Sequence, residues 1–165
     1  MLDPVYPPVI LLLVVAFSLM AGAYGLDGSK RALAAYALGP LTGFPISSLL
    51  GPQGAIIALI LGMLCALNSA ALVPLHQAIP LLISLGAGAA TAIHNFETHS
   101  LNSLPLATHL GIFLGPMVVA AALTGWIGMI LQASTHMVKI PFRILSSWAF
   151  AADAIYLALQ LKLGT

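Results

Sequence analysis

Charged residues make up only 5% of the 165-residue chain, whereas hydrophobic residues make up 61%, and the formal net charge is +1. A water-soluble domain carries about 25% charged residues, so this composition excludes an ordinary soluble domain and predicts an integral membrane protein. The near-neutral charge also excludes a basic surface for nucleic acid.

Six stretches predict helices. A membrane-spanning helix needs about 20 mostly apolar residues. The first predicted helix covers roughly 8–26 and stops at the polar segment DGSKR, which is typical of a turn. The second is interrupted by Pro40 and Pro45, which should kink it because each removes a backbone donor. The second to sixth helices cover 32–50, 54–75, 79–96, 106–132 and 144–163.

These helices predict an all-α fold: a polytopic transmembrane bundle of about six spanning helices in a single domain, residues 1–165. Four spans plus one re-entrant segment is the alternative, because the second and fourth helices are short or broken by proline. The N-terminal MLDPVYPP lacks the basic region of a signal peptide, so we expect the first apolar stretch to be retained.

The basic residues predict the orientation. With six spans, Lys30, Arg31, Lys139 and Arg143 fall on one side of the membrane, and Lys162 falls on the other. Because basic residues concentrate in cytoplasmic loops, we expect both termini outside the cytoplasm. The expected location is an energy-transducing inner membrane or the plasma membrane.

Small residues recur at four-residue spacing, which lets helix backbones approach closely in a membrane. We expect them to form a packing seam within the chain, and contact with another subunit or a cofactor is the alternative. The pairs are Gly39 with Gly43, Gly86 with Ala90, and Gly111 with Gly115, and Gly88 lies between Gly86 and Ala90.

Asp153 is the most informative single residue, because it lies near the middle of the sixth predicted helix. An ionised carboxylate there costs about 2.5–3.5 kcal/mol unless it finds a partner or a proton. The residue is therefore a proton site, an anchor to a neighbouring chain, or a structural carboxylic acid bonded within the bundle. Asn68, in the third predicted helix, is a candidate partner. Tyr24 and Tyr36 flank the first predicted loop and fit an interfacial aromatic belt.

The five histidines all lie near the ends of predicted helices. An interfacial histidine needs no ligand, but neutral imidazole also binds metals and tetrapyrroles. They are therefore candidate contacts for a ligand or a pigment, although their spacing matches no metal-site signature. No cofactor is identified, and a tetrapyrrole pigment is the class that the histidines would suit. They are His76, His94, His99, His109 and His136.

Three segments share a further pattern: HQAIPLLISLGAGAATAIHNFE at 76–97, LGIFLG at 110–115 and KIPFR at 139–143. Together they resemble the membrane domain of the β subunit of proton-translocating NAD(P) transhydrogenase, over the first six helices of that subunit. The family's helix MPQMVALYNGMGGGAAAAIA aligns with the first segment, with Gln77 on its Gln and the GAGAA run on its Gly/Ala run. The resemblance implies a membrane fold associated with proton translocation.

The chain also departs from that family. Ile83 stands where the family's helix has a His or Asn that serves proton transfer, and no counterpart of the NADP-binding domain is present. No phosphate-binding Gly-rich loop follows a strand, so we expect no bound nucleotide and no hydride transfer by this chain alone.

Three functions remain open at this point. The favoured one is a non-catalytic integral membrane subunit that packs against a larger respiratory or photosynthetic complex through other membrane subunits. The second is a proton-conducting or transporter element, either alone or as part of a split transhydrogenase-like system. The third is a pigment- or haem-binding membrane subunit.

Overall fold

The computed structural model describes residues 8–50, 53–71, 78–98, 106–133 and 139–163. Within these residues the chain forms six α-helices and no strand, which confirms the predicted all-α bundle. The helices are α1 (Pro8–Ala23), α2 (Gly25–Leu50), α3 (Gly54–Ala71), α4 (Ala78–Thr98), α5 (Leu106–Ala133) and α6 (Lys139–Leu163).

Four of the helices, α3 to α6, are long and apolar enough to cross a membrane. The apolar helix α1 has 16 residues, which corresponds to about 24 Å at the rise of an α-helix and is shorter than the roughly 30 Å of a bilayer core. Helix α2 is longer, but it carries Asp27, Lys30 and Arg31 and lies outside the set of candidate spans.

The short helix α1 lies at the centre of the bundle and packs against all five other helices. Eleven of its 16 residues are buried. The apolar residues of α1 lie on every face of the helix, and polar residues form no stripe along it. This pattern is typical of a helix that is covered on all sides. The core therefore runs along α1, and Phe17, Leu13 and Met20 are among its fully buried side chains.

The turn between α1 and α2 lies at Tyr24 and Gly25, four to five residues before Ser29, the centre of the predicted turn. Gly25 has a φ of 73°, a conformation that costs glycine little. The prediction of a turn at DGSKR was wrong, because this segment forms the start of α2. The Ser29 hydroxyl donates to the carbonyls of Ala21 (2.8 Å) and Gly25 (2.6 Å), and the bond to Ala21 links the start of α2 to the end of α1.

Helices α2 and α4 touch backbone to backbone through glycines. A Cβ built at Gly39 would lie 2.5 Å from the backbone nitrogen of Ala89, and one built at Gly43 would lie 2.5 Å from the Ala89 carbonyl oxygen. A Cβ at Gly88 would overlap the Tyr36 carbonyl oxygen. The two backbones can approach this closely only because none of the three residues has a side chain.

Tyr36 completes the α2–α4 contact and is only 2% exposed. Its ring stacks on Phe17 with centroids 4.5 Å apart, and its hydroxyl lies 3.0 Å from the Thr91 hydroxyl of α4. The expectation that Tyr36 belongs to an interfacial belt was therefore wrong.

Three contacts bring the same end of several helices together. Tyr24 contacts Asn68 near the end of α3, Arg143 near the start of α6 donates to the Ala70 carbonyl at 2.9 Å, and Gly22 packs against Ile127 near the end of α5. The starts of α2 and α6 carry Lys30, Arg31, Lys139 and Arg143. We call this end of the bundle the basic end.

Candidate functional site

Asp153 lies within α6 and is completely buried, with 0% of its surface exposed. Its carboxyl group packs on the middle of α3 at Gly62. A Cβ built at Gly62 would lie 2.7 Å from Oδ2 and 3.1 Å from Oδ1 of Asp153. The glycine therefore provides the space that the carboxyl group occupies.

Neither carboxylate oxygen of Asp153 has a hydrogen-bond partner among the described residues. Removing an ionised carboxylate from water without a partner is strongly unfavourable. The site therefore accommodates the neutral, protonated form of Asp153 much better than the charged form. Because the side chain is enclosed within its own chain, a neighbouring subunit has no direct access to it.

Asn68 pairs with Tyr24, and no hydrogen bond joins it to Asp153. The Tyr24 hydroxyl donates to Oδ1 of Asn68 at 2.8 Å, whereas the Nδ2 of Asn68 is buried and has no partner among the described residues. Partial burial raises the pKa of the Tyr24 hydroxyl, and its hydrogen bond to Asn68 opposes that rise. Tyr24 therefore keeps its proton at neutral pH and stays a donor to Asn68.

Cys65 lies between the two polar groups along α3, three residues from both Gly62 and Asn68. The thiol is fully buried and lies within electrostatic range of the Asp153 carboxyl and the Tyr24 hydroxyl. Toward the basic end, Cys65 and then Asn68 follow Gly62 along α3, and at 3.6 residues per turn they are turned by about 60° and about 120° around the helix from Gly62.

The opposite half of α3 is apolar. From its start at Gly54 to Leu61, it carries only glycine, alanine, isoleucine and leucine, and Ala58 and Leu59 are fully buried. The polar groups beside Asp153 on α3 are therefore confined to the basic-end half of that helix.

A shallow apolar pocket of about 40 Å³ lies between α1 and α5. Its lining has no polar surface, so it offers no hydrogen bonds to an ion or to water. The residues that line it are Ile10, Leu11, Val14, Pro116 and Val119.

The structure describes the side chain of only one of the five histidines. His94 is 7% exposed near the end of α4, and the next residue, Asn95, donates to the Ile112 carbonyl of α5 at 3.3 Å. The described residues contain no group of three or more histidine, cysteine, aspartate or glutamate side chains arranged to hold a metal. His76, His99 and His136 lie outside the described residues, as does the side chain of His109.

The predicted seam residues lie in different environments. Gly88 is in the α2–α4 contact, a Cβ built at Gly86 would lie 3.3 Å from the Leu61 side chain, and Ala90 is fully buried. Gly115 is partly buried, whereas Gly111 is exposed and a Cβ there would have no neighbour within 4 Å. The α4 members therefore pack within the chain, and contact of the α5 members with another subunit stays a prediction.

Sequence reasoning found Asp153 and Asn68 but missed Gly62 and the role of Tyr24. Asp153 stands out because it is an acid in an apolar run. Gly62 lies in the run LILGMLC, where nothing distinguishes it from a packing glycine. A comparison of the chain with protein-family models, with curated proteins and with solved structures found no match, so the transhydrogenase resemblance stays a prediction.

Proposed function

We propose that this chain is a multi-pass membrane protein that moves protons through its helical bundle, with Asp153 as the proton-binding group. The observation that carries the proposal is the complete burial of Asp153 against Gly62 with neither oxygen hydrogen-bonded within the described structure. Ionisable residues in membrane-spanning helices are rare and mark proton or substrate pathways.

A purely structural role for Asp153 has less support. A carboxylic acid that stabilises a helix contact does so through a hydrogen bond to a neighbouring chain segment, and Asp153 has none among the described residues. The anchor to a neighbouring subunit that the sequence allowed also has less support, because the side chain is enclosed by its own chain. A proton is a ligand small enough for this space.

Proton uptake into vesicles tests the proposal. Purified protein is reconstituted into liposomes that contain a pH-sensitive dye, and a potassium gradient with valinomycin drives proton entry. We expect the wild type to acidify the lumen faster than protein-free vesicles do. Asp153→Asn should reduce uptake to the protein-free rate, because the amide keeps the size of the side chain but has no carboxyl proton to exchange.

Asp27→Asn is the matched control, since it makes the same chemical change at an exposed acid in the first turn of α2. It should leave uptake at the wild-type rate. Wild-type vesicles that acidify no faster than empty ones contradict the proposal, and so does an Asp153→Asn variant that conducts normally.

A non-catalytic subunit of a larger membrane complex is the second candidate, and the surface of α5 favours it. Only 17% of the α5 span is buried within the chain. Gly111 and Gly125 of α5 face open space, and Ala122 lies exposed one turn before Gly125. Exposed small residues at such intervals suit close approach of another helix.

Isolation from native membranes in mild detergent, followed by mass spectrometry, tests this second candidate. Stable partners that are lost from a Gly125→Leu variant would support it, because a larger side chain there meets nothing in the chain itself. A nucleotide-binding transhydrogenase polypeptide among those partners would support the split-enzyme form of the idea. Pigment or haem in the particle would support the third function.

A further inference from the structure

The polar side chains of α3 are distributed unevenly on the two sides of the position where Asp153 packs. Toward the basic end, α3 carries Cys65 about 60° and Asn68 about 120° around the helix from Gly62, and Asn68 is bonded to Tyr24. Toward the other end, α3 offers only apolar side chains. A proton that leaves Asp153 therefore meets polar groups along α3 in one direction only.

We infer that Asp153 exchanges its proton with the basic end of the bundle, through Asn68 and Tyr24. This inference rests on the proposed function, because it assigns a route to the proton that Asp153 binds. Asn68 lies six residues from Gly62 along α3, which is about 9 Å at the rise of an α-helix. A distance of this size needs intermediate groups or water to carry a proton.

Asn68 is suited to a positioning role on this route. Its Oδ1 is already occupied by the Tyr24 hydroxyl, but its Nδ2 is buried and has no partner within the described structure. An amide donor in that situation binds a water molecule favourably, since a buried donor without a partner is costly. Tyr24 is partly exposed beside the α1–α2 turn and forms the outer end of the route.

The buried polar side chains at the other end of α4 face different neighbours. Thr91 donates to the Ala87 carbonyl and contacts Tyr36 on α2, and Asn95 donates to Ile112 on α5. These groups are committed to contacts with α2 and α5, whereas Asp153 packs on α3. They do not extend the set of polar residues that α3 carries toward the basic end.

Hydrogen–deuterium exchange of the Asp153 carboxyl group tests the inference directly. The C=O stretching band of a protonated carboxyl is recorded by infrared spectroscopy and assigned by its loss in Asp153→Asn. After transfer to D₂O, the rate at which this band shifts reports exchange of the carboxyl proton. We expect Tyr24→Phe and Asn68→Leu each to slow the shift by about tenfold, the effect of losing one hydrogen-bonded step.

Tyr156→Phe is the matched control. It removes the same hydroxyl group from α6 one turn beyond Asp153 in the direction away from the basic end, and it should leave the exchange rate unchanged. The direction of the change in exchange rate distinguishes a lost proton route from altered packing. A variant that merely loosens the bundle should exchange the Asp153 proton faster, whereas loss of the route should slow the exchange.

Each outcome bears on a different claim. Slow exchange in Tyr24→Phe with normal exchange in Tyr156→Phe supports the route. Normal or faster exchange in both Tyr24→Phe and Asn68→Leu, or exchange in Tyr156→Phe that is slowed as much as in Tyr24→Phe, overturns the route and leaves the proposed function standing. A wild type without a protonated Asp153 band overturns the proposed function itself.

Discussion

The α2–α4 and α3–α6 contacts both depend on glycine, but the glycines do different things. Between α2 and α4, Gly39, Gly43 and Gly88 let two backbones meet. Between α3 and α6, Gly62 makes room for the carboxyl group of Asp153. The first contact brings backbone against backbone, and the second brings backbone against an acid.

The two contacts also differ in how their polar groups are satisfied. Tyr36 and Thr91 bond to each other across the α2–α4 contact, whereas the oxygens of Asp153 have no partner among the described residues. A satisfied polar pair holds two helices in one arrangement, while an unsatisfied group inside a membrane protein marks a functional position. We therefore assign stability to the first contact, and the proposed function depends on the second.

The largest expected effect comes from a substitution that disrupts the α2–α4 contact. Gly88→Ala should lower the free energy of unfolding by about 3 kcal/mol, because its Cβ overlaps the Tyr36 backbone, which cannot rotate away. The reactivity of Cys65 with a maleimide during denaturant titration measures this, since Cys65 is the only thiol and is fully buried. Unchanged stability would contradict the close contact of the α2 and α4 backbones at Gly88.

A smaller effect should separate Gly62 from an ordinary packing glycine. Gly62→Ala places a methyl group 2.7 Å from Oδ2 of Asp153, and we expect it to lower the free energy of unfolding by about 1–3 kcal/mol. In an Asp153→Ala background the carboxyl group is gone and the loss should largely disappear. The double-mutant cycle cancels the intrinsic helix preference of alanine, and a coupling energy near zero would show that the two residues do not touch.

The next smaller change in stability is expected from losing the hydrogen bond between Tyr36 and Thr91. Tyr36→Phe keeps the stacked ring but removes the contact with Thr91, and should lower the free energy of unfolding by about 0.6–1.5 kcal/mol. The effect stays at this level because Thr91 keeps its bond to the Ala87 carbonyl at 2.9 Å. The same Cys65 titration measures it, and a loss as large as that of Gly88→Ala would place more of the contact energy in Tyr36 than we assign.

The smallest effect belongs to a glycine outside both contacts. Gly111→Ala adds a methyl group in open space, and the helix preference of alanine over glycine should then raise the free energy of unfolding by about 0.5–1 kcal/mol. A substantial loss of stability in detergent-purified protein would show that Gly111 packs against something within the chain.

Much of the architecture follows from the sequence. Apolar runs near 20 residues long predict the helices, and α5 begins at Leu106 as expected because Pro105 precedes it. The α1–α2 turn does not follow in this way. The polar residues of DGSKR suit both a loop and the first turn of a helix, where Asp27 interacts favourably with the helix dipole, and Gly25 supplies the turn instead.

The candidate site follows only in part. An acid within an apolar run identifies Asp153, but the residue that faces it depends on how α3 and α6 are rotated against each other. That rotation results from packing around α1 and has no local signal in the sequence. Because the sequence does not reveal this rotation, it suggested Asn68 as the partner of Asp153. In the structure Asn68 pairs with Tyr24 instead.

The central position of α1 has a consequence for biosynthesis. Among the described helices, α1 leaves the ribosome before the five helices that surround it. Until α3, α5 and α6 have been translated, its apolar surface is left to lipid or to the insertion machinery. The nascent chain can therefore complete its core only late in synthesis, and a chain truncated before α6 should present the Asp153-facing surface of α3 to quality-control proteases.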